Sequence, residues 1–266
     1  MPKKEERKGG LTWNLEQQII KKYVKKIPKF LSPHRLTYIG VLAAFLVGVS
    51  YYLTNFSKFW LIAASFFIFL NWFGDFFDGA VARHRQIVQK RYGYFADHMF
   101  DMVSVFFIVF GLGLSIGLHM YFALAFIVGY YLLSINTFLA THTSGKFNMS
   151  YGHLGPTEAR LILIALNIIL LFFSYPLNLF SIGNISITLF DLSTGILLVF
   201  IIYTFIEGFV KNLIYLKKVD SKNYSEMSLK EALSGISIKV ENLDIKKAKT
   251  KTKNQIKKFL DFFELK

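Results

Sequence analysis

The sequence predicts an all-α integral membrane protein with six transmembrane helices, preceded by an N-terminal amphipathic helix on the membrane surface. Of its 266 residues, 53% are hydrophobic, and the mean hydropathy is +0.41. A water-soluble domain of this size would not bury so much apolar surface in one core. The net charge is +14, but the cations gather near both ends and in one central segment beside apolar stretches. That distribution favours a basic rim facing anionic membrane lipids over a nucleic-acid-binding surface.

The first element is the amphipathic helix, which lies within a basic N-terminal segment of residues 1 to 35. Its apolar residues recur at helical spacing against a lysine-rich face, and Pro28 ends the pattern. Such a helix lies in the membrane interface with its apolar face towards the lipid. No short apolar core with a cleavage site precedes it, so no signal peptide is expected. The apolar residues are Leu15, Ile19, Ile20, Tyr23, Val24 and Ile27.

Six apolar spans make up the central domain, residues 36 to 216. Each is near the roughly 20 residues that a helix needs to cross about 30 Å of hydrocarbon. Helices are predicted because they satisfy all backbone hydrogen bonds of a spanning segment internally. The predicted spans are residues 36 to 54, 59 to 77, 94 to 115, 119 to 141, 159 to 176 and 190 to 215.

The charges in the connecting loops predict the orientation of these spans. The loops near residues 55 to 58, 116 to 118 and 177 to 189 contain a single lysine or arginine, Lys58, whereas both terminal regions and the segment 83 to 91 are basic. Cytoplasmic loops carry the excess of lysine and arginine. Both termini and the segment 83 to 91 are therefore predicted to be cytoplasmic.

The last 50 residues, 217 to 266, are mostly polar and rich in lysine. This composition predicts a cytosolic tail, a flexible extension that touches anionic lipid. A short amphipathic helix is predicted near its end, around residues 256 to 265.

Four aspartates stand out against this apolar background. Between residues 17 and 157 the only acidic residues are Asp75, Asp78, Asp97 and Asp101, and a carboxylate in or near a bilayer is expensive. On helices, residues three or four apart share a face. The second predicted span runs inward and the third runs outward, so the two pairs are predicted to meet at the same depth as one carboxylate cluster.

Four neighbouring carboxylates repel one another unless cations neutralise them. A salt-bridge network with the arginines of segment 83 to 91 is one interpretation. Hard divalent cations fit better, since all-oxygen ligands suit Mg²⁺, Mn²⁺ or Ca²⁺, and the chain has no cysteine to bind zinc. A pair of such ions is a device for handling phosphoryl groups.

Small residues and an arginine lie beside the aspartates. Gly79 follows Asp78 directly, and Gly93 lies one helical turn before Asp97. Either glycine alone is typical of close helix packing, but together they predict that backbone approaches a bulky ligand. Arg83 is placed to reach the anionic part of that ligand, because a guanidinium matches phosphate oxygens.

These residues form the pattern D-x2-D-G-x2-A-R-x9-G-x3-D-x3-D, running from Asp75 to Asp101. The pattern resembles the signature of the CDP-alcohol phosphatidyltransferase family, and the likeness covers roughly residues 15 to 215. It implies a homodimeric enzyme of phospholipid biosynthesis that uses an acceptor hydroxyl to displace CMP from a CDP-linked substrate, with two Mg²⁺ or Mn²⁺ ions. By the same resemblance Asp75, Asp78, Asp97 and Asp101 bind metal, Asp101 is also a candidate base, and Gly79, Ala82, Arg83 and Gly93 line the CDP site.

Two further stretches bear on the substrate. Asp97, His98 and Asp101 resemble the D-H-x-x-D of choline and ethanolamine phosphotransferases, and His98 is an alternative general base. Residues 141 to 160 are similar to the T-x-S-G and T-E segments of the same enzymes, and there Glu158 suits a cationic headgroup whereas Arg160 suits an anionic one. One departure is SPHRLT, which has His34 where the family commonly has asparagine.

The favoured reaction is therefore transfer of phosphoethanolamine or phosphocholine from its CDP form to diacylglycerol or a similar lipid alcohol. The alternative uses CDP-diacylglycerol and a small polar alcohol such as inositol phosphate, glycerol phosphate or serine. Outside the family, an ion transporter is the alternative class, since intramembrane acids also mark ion pathways.

Overall fold

The computed structural model describes residues 12–144 and 155–240, and these are mostly helical. The helices are α1 (Trp13–Tyr23, followed by a single 3₁₀ turn, Val24–Lys26), α2 (Pro33–Leu53), α3 (Trp60–His84), α4 (Lys90–Gly113), α5 (Met120–Ser144), α6 (Pro156–Phe172) and α7 (Leu189–Val240). A two-stranded antiparallel hairpin, β1 (Asn178–Ile182) and β2 (Ile185–Thr188), precedes α7.

Among the described residues, five helices are long and apolar enough to cross a membrane. They are α2, α3, α4, α5 and the Leu189–Ser221 part of α7. The fifth predicted span corresponds to α6, which at 17 residues is shorter than these five. The all-α membrane fold is thus confirmed, whereas the count of six spans stays a prediction.

Helix α2 packs closely against both helices that carry the aspartates. A Cβ atom on Gly74 of α3 would lie 2.5 Å from the Leu36 carbonyl oxygen and 2.8 Å from the Gly40 nitrogen of α2. A Cβ on Gly111 of α4 would likewise collide with the backbone of Gly48. Only glycine allows backbones to approach this closely, so these two crossings set the separation of α3 and α4 from α2.

The amphipathic helix is present, and much of its apolar face packs on protein. Ile19, Ile20, Val24 and Ile27 form a cluster with residues of α2 and α3, among them Leu36, Phe77 and Val81. Leu15 and Tyr23 remain 62% and 41% exposed. One edge of the apolar face therefore packs against the bundle, and the other edge is exposed.

Arg85 joins the end of α1 to the end of α3. Its guanidinium donates to the carbonyl oxygens of Leu31 at 2.8 Å, Pro28 at 2.9 Å and Ile27 at 3.2 Å. These carbonyls follow the last turn of the N-terminal helical segment, where backbone acceptors lack helical partners. The basic segment 83 to 91 thus includes a residue with a structural role, Arg85, as well as residues near the aspartates.

The opposite end of the bundle is closed by polar contacts of a similar kind. Lys58, the one cation in the predicted outer loops, donates from Nζ to the carbonyl oxygens of Leu171 at 2.9 Å and Phe173 at 3.0 Å. A lysine satisfies the orphan carbonyls at a helix C-terminus in this way. The carbonyl groups at the C-terminal end of α6 thus explain the position of Lys58.

The structure differs from the sequence prediction in three places. Helix α3 continues to His84 and α4 begins at Lys90. All four aspartates therefore lie inside helices, and only five residues connect α3 to α4. Residues 177 to 189, predicted as a loop, contain the β-hairpin, whose turn uses Gly183 at φ +61°.

The third difference is the tail. Helix α7 continues through residue 216 to Val240, where a flexible extension was predicted. This stretch contains no proline and holds several good helix formers, which favours continuation of the helix. The predicted helix around residues 256 to 265 lies outside the described residues.

Candidate active site

The aspartates of α3 and α4 meet at one end of the bundle. Asp75 lies on α3, and Asp97 and Asp101 lie one turn apart on α4. One carboxylate oxygen from each of these three residues lies within 4.8 Å of the other two. The two pairs thus come together, as the helical spacing predicted.

Asp78 lies beside this trio and has partners of its own. Its Oδ2 accepts a hydrogen bond of 2.6 Å from the Thr37 hydroxyl of α2. Its Oδ1 accepts a hydrogen bond from the backbone N–H of Gly79. Helix α2 therefore orients a carboxylate of the cluster as well as setting the helix spacing.

All four aspartates line one small cavity between α2, α3 and α4. Its volume is about 10 Å³, which is about the space needed for one water molecule. The cluster is open to the surface on the side of Asp97, which is exposed. The lining residues are Thr37, Gly40, Val41, Asn71, Asp75, Asp78, Asp97, Phe100, Asp101 and Ser104.

Arg160 brings positive charge to the cluster from α6. Its Nη1 donates to Asp75 Oδ2 at 2.7 Å, and the arginine side chain is only 12% exposed. A hydrogen-bonded guanidinium offsets part of the repulsion among the carboxylates. The sequence favoured Arg160 for an anionic headgroup but did not place it against an aspartate.

The glycines of the motif occupy two different surroundings. A Cβ on Gly79 would lie 3.2 Å from the Arg83 guanidinium, so this arginine passes over Gly79. A Cβ on Gly93 would meet nothing within 4 Å, so packing among the described residues does not require glycine there. Ala82, which lies between Gly79 and Gly93 in sequence, is half-buried on α3. Their roles in binding CDP stay predictions.

His98 packs against aromatic side chains. Its ring lies 4.4 Å from the Tyr94 ring and 4.9 Å from the Phe138 ring of α5, measured between centroids. It is not among the residues that line the carboxylate cavity. The expectation that His98 is the general base therefore gains no geometric support, and it stays a prediction.

Glu158 is engaged with the protein itself. Its Oε1 accepts from the backbone N–H and the hydroxyl of Thr12, each at 3.0 Å, and its Oε2 accepts from the Gly155 N–H at 2.8 Å. Burial raises the pKa of this carboxyl, but the hydrogen bonds from Thr12 and Gly155 outweigh burial and leave the pKa below its usual value. Glu158 joins α1 to α6, and its predicted role in binding a cationic headgroup stays untested.

Only part of the second stretch that bears on the substrate, residues 141 to 160, lies within the described residues. Ser144 ends α5, and Gly145 lies outside the described residues. His34, the departure from the family pattern, packs against Tyr92 of α4 with ring centroids 5.0 Å apart.

Sequence reasoning missed three polar residues near the cluster, Thr37, Asn71 and Ser104. Asn71 lies four residues before Asp75 and Ser104 three residues after Asp101, so each shares a face with an aspartate. A search for polar side chains one turn from each aspartate would have found both.

A helical membrane bundle with a carboxylate cluster beside arginines, at one end of its helices, defines a class of membrane protein that handles anionic groups near the bilayer surface. Residues 26–209 match the family model described as CDP-alcohol phosphatidyltransferase. The match covers more than half of the chain, which therefore belongs to this family. No curated protein matches the chain.

Membership confirms several predictions at once. Members are transferases of substituted phosphate groups that act on a CDP-alcohol and an acceptor alcohol in the membrane. The chain is accordingly an integral membrane enzyme of phospholipid biosynthesis, and the ion-transporter alternative is set aside.

Proposed function

We propose that the chain is a metal-dependent CDP-alcohol phosphotransferase whose metal site is the aspartate cluster. The observation that carries the proposal is the approach of oxygens from Asp75, Asp97 and Asp101 to within 4.8 Å of one another. Asp78 completes the set at the wall of the same cavity.

The donor set fits hard divalent cations. It consists of carboxylate oxygens, and the chain has no cysteine, which suits Mg²⁺ or Mn²⁺. Arg160 offsets part of the charge of four carboxylates, and the buried amide oxygen of Asn71 has no hydrogen-bond partner among the described residues. When bound, a pair of ions would neutralise the pyrophosphate and the departing CMP.

The chain's own residues supply positioning and proton transfer. Asp101 accepts the proton of the acceptor hydroxyl, since it lines the cavity whereas His98 packs against Phe138. Arg83, beside Gly79, binds phosphate oxygens. The open surface at Gly93 lets the CDP moiety approach the backbone of α4.

For the substrates, we favour transfer of phosphoethanolamine or phosphocholine from its CDP form to diacylglycerol or a similar lipid alcohol. The support is the D-H-x-x-D arrangement of Asp97, His98 and Asp101. The engagement of Glu158 by Thr12 and Gly155 removes one reason for this choice, because a carboxylate so occupied is less free to meet a cationic headgroup.

The second candidate uses CDP-diacylglycerol with an anionic or polar alcohol, and Arg160 favours it. A buried guanidinium 2.7 Å from a cluster carboxylate is suited to hold a phosphate or carboxylate of the acceptor next to the reacting groups. If Arg160 does so, Arg160→Lys should raise KM for the anionic acceptor more than it lowers kcat, because lysine lacks the planar fork.

The test is CMP release by the purified chain in detergent with Mg²⁺ or Mn²⁺. CDP-ethanolamine or CDP-choline with diacylglycerol is compared with CDP-diacylglycerol and a panel of polar alcohols, with Asp78→Asn as the inactive control. Release from the first set supports our first choice, and release only from the second set replaces it. No release from either set, by protein shown to be folded, contradicts the proposed activity.

We also propose that the carboxylate end faces the cytoplasm, supported by the basic residues around the α3–α4 turn. Because the chain has no cysteine, Gln86→Cys provides one label site in that turn. Labelling of sealed inverted vesicles but not of right-side-out vesicles is expected, and the reverse pattern contradicts the orientation. The homodimer stays a prediction, which light scattering of the detergent complex would check.

A further inference from the structure

Asn71 is a buried polar residue on the membrane side of the aspartate cluster. It lies on α3, four residues before Asp75, and is 2% exposed. Four residues of helix correspond to about 6 Å along the axis, on nearly the same face. Asn71 therefore lies one turn deeper in the bundle than the carboxylate above it.

Half of this side chain is accounted for by the fold. Asn71 Nδ2 donates to the carbonyl oxygen of Gly40 at 2.9 Å, next to the close crossing of α2 and α3. That bond also fixes which way the amide points, because a flipped amide would set its oxygen against the Gly40 oxygen.

The other half has no such explanation. Asn71 Oδ1 is buried and has no hydrogen-bond partner within the described residues. A buried acceptor without a partner loses its hydration without compensation, and an apolar side chain of similar shape would avoid that loss. We therefore expect a bound group to donate a hydrogen bond to Asn71 Oδ1.

The cavity beside Asn71 supplies the place for a ligand. Asn71 lines it together with all four aspartates, and its volume of about 10 Å³ suits one water molecule. The sole unengaged polar atom of Asn71 is an acceptor, so the complementary group is an O–H or N–H donor. The carboxylates that line the same cavity are acceptors too, which makes an ion's water the natural bridge.

We propose that Asn71 is a positioning residue of the metal site, and that its Oδ1 accepts a hydrogen bond from a water bound to the divalent ion held by Asp75, Asp97 and Asp101. The proposal rests on the metal site of the proposed function. Mg²⁺ gives up its waters reluctantly and keeps several in protein sites, and groups that hold such outer partners tune metal affinity. The depth of Asn71, one turn below Asp75, suits contact through a water.

The experiment measures Mn²⁺ binding to the full chain in detergent, from the EPR signal of free Mn²⁺, so that no turnover is needed. Asn71→Leu keeps the volume and removes both polar atoms, and it should raise the Mn²⁺ dissociation constant about 10- to 100-fold. Asn71→Asp removes the donor to Gly40 but keeps an acceptor, and it should bind Mn²⁺ at least as tightly as the wild type.

Asn167→Leu is the matched control. Asn167 is also fully buried, but its Oδ1 accepts from the Tyr51 hydroxyl at 3.2 Å and its Nδ2 donates to Ser65 Oγ at 3.1 Å. It does not line the cavity. This variant should lose thermal stability without a change in the Mn²⁺ dissociation constant.

The outcomes distinguish failure of the Asn71 contact from failure of the proposed metal site. If the wild type binds Mn²⁺ and Asn71→Leu binds it equally well, the water contact is refuted and the metal site stands. Weaker binding by Asn71→Asp than by the wild type, at unchanged thermal stability, also refutes the contact, and it does so even if Asn71→Leu fails to fold. If the wild type itself shows no saturable binding, the metal site falls and the inference falls with it.

Discussion

Gly74→Ala is the change that most directly tests how the fold holds the aspartates in place. Gly74 precedes Asp75 on α3, at the point where this helix crosses α2. The added methyl group would lie 2.5 Å from the Leu36 carbonyl oxygen, about 1 Å short of the 3.4 Å at which ordinary contact begins. The other near atoms, the nitrogen and Cα of Gly40 at 2.8 and 2.9 Å, are also backbone.

The magnitude follows from that shortfall. No flexible side chain can swing aside, so α3 must move away from α2 by about 1 Å. Overpacking of this kind typically costs about 1–3 kcal/mol of unfolding free energy. A displacement of about 1 Å at a catalytic group lowers turnover about 100-fold, and Asp75 is the adjacent residue. We therefore expect Gly74→Ala to lower both stability and CMP release.

The assay pairs thermal unfolding in detergent, followed by tryptophan fluorescence, with CMP release. Gly93→Ala is the matched control for stability, since its methyl group would meet no other described residue within 4 Å. It should keep or raise stability, because alanine favours helix, and it should lose turnover if CDP approaches α4 there. Wild-type stability and turnover in Gly74→Ala would refute the tight crossing and the positioning that we assign to it.

Three further outcomes are expected. Asp78→Asn should lower turnover about 100-fold or more with unchanged helix content by circular dichroism, and full activity would remove Asp78 from the site. His98→Ala should lower turnover less than about 10-fold, because a general base contributes about 10²–10⁴-fold; a larger loss at constant stability would give that role to His98. The stability that Glu158 contributes should be present above the usual pKa of its carboxyl and lost as pH falls through its lowered pKa, so the protection of α1 amides relative to their intrinsic exchange rate should fall on acidification in the wild type. Glu158→Gln should show low protection of α1 at every pH, and an unchanged acid response in that variant would contradict the Thr12 contact.

The cluster of aspartates was predictable because it follows from local geometry. Helical spacing places Asp75 with Asp78 and Asp97 with Asp101, and a short turn between two spans brings the pairs to one depth. The signature reaching from Asp75 to Asp101 then predicts the family, which the match over residues 26–209 confirms. None of these steps needs knowledge of contacts distant in sequence.

The partners of the cluster were not predictable in the same way, because they come from other helices. Thr37 contacts Asp78 across 41 positions of sequence and Arg160 contacts Asp75 across 85. One sequence cannot show which of several polar residues at the ends of spans will meet. Glu158 shows the same limit, since its motif suggested a headgroup whereas its contacts lead to Thr12.

The position of α2 explains how a bilayer protein tolerates this much charge in one place. Its glycines bring α3 and α4 close on either side, and Thr37 of the same helix orients Asp78. Rigid backbone crossings keep the carboxylates together at a separation that their own repulsion opposes. A cation then restores the balance, and Arg160 supplies one positive charge from α6. A carboxylate site of this kind favours divalent ions, as the metal-dependent transfer that we propose would require.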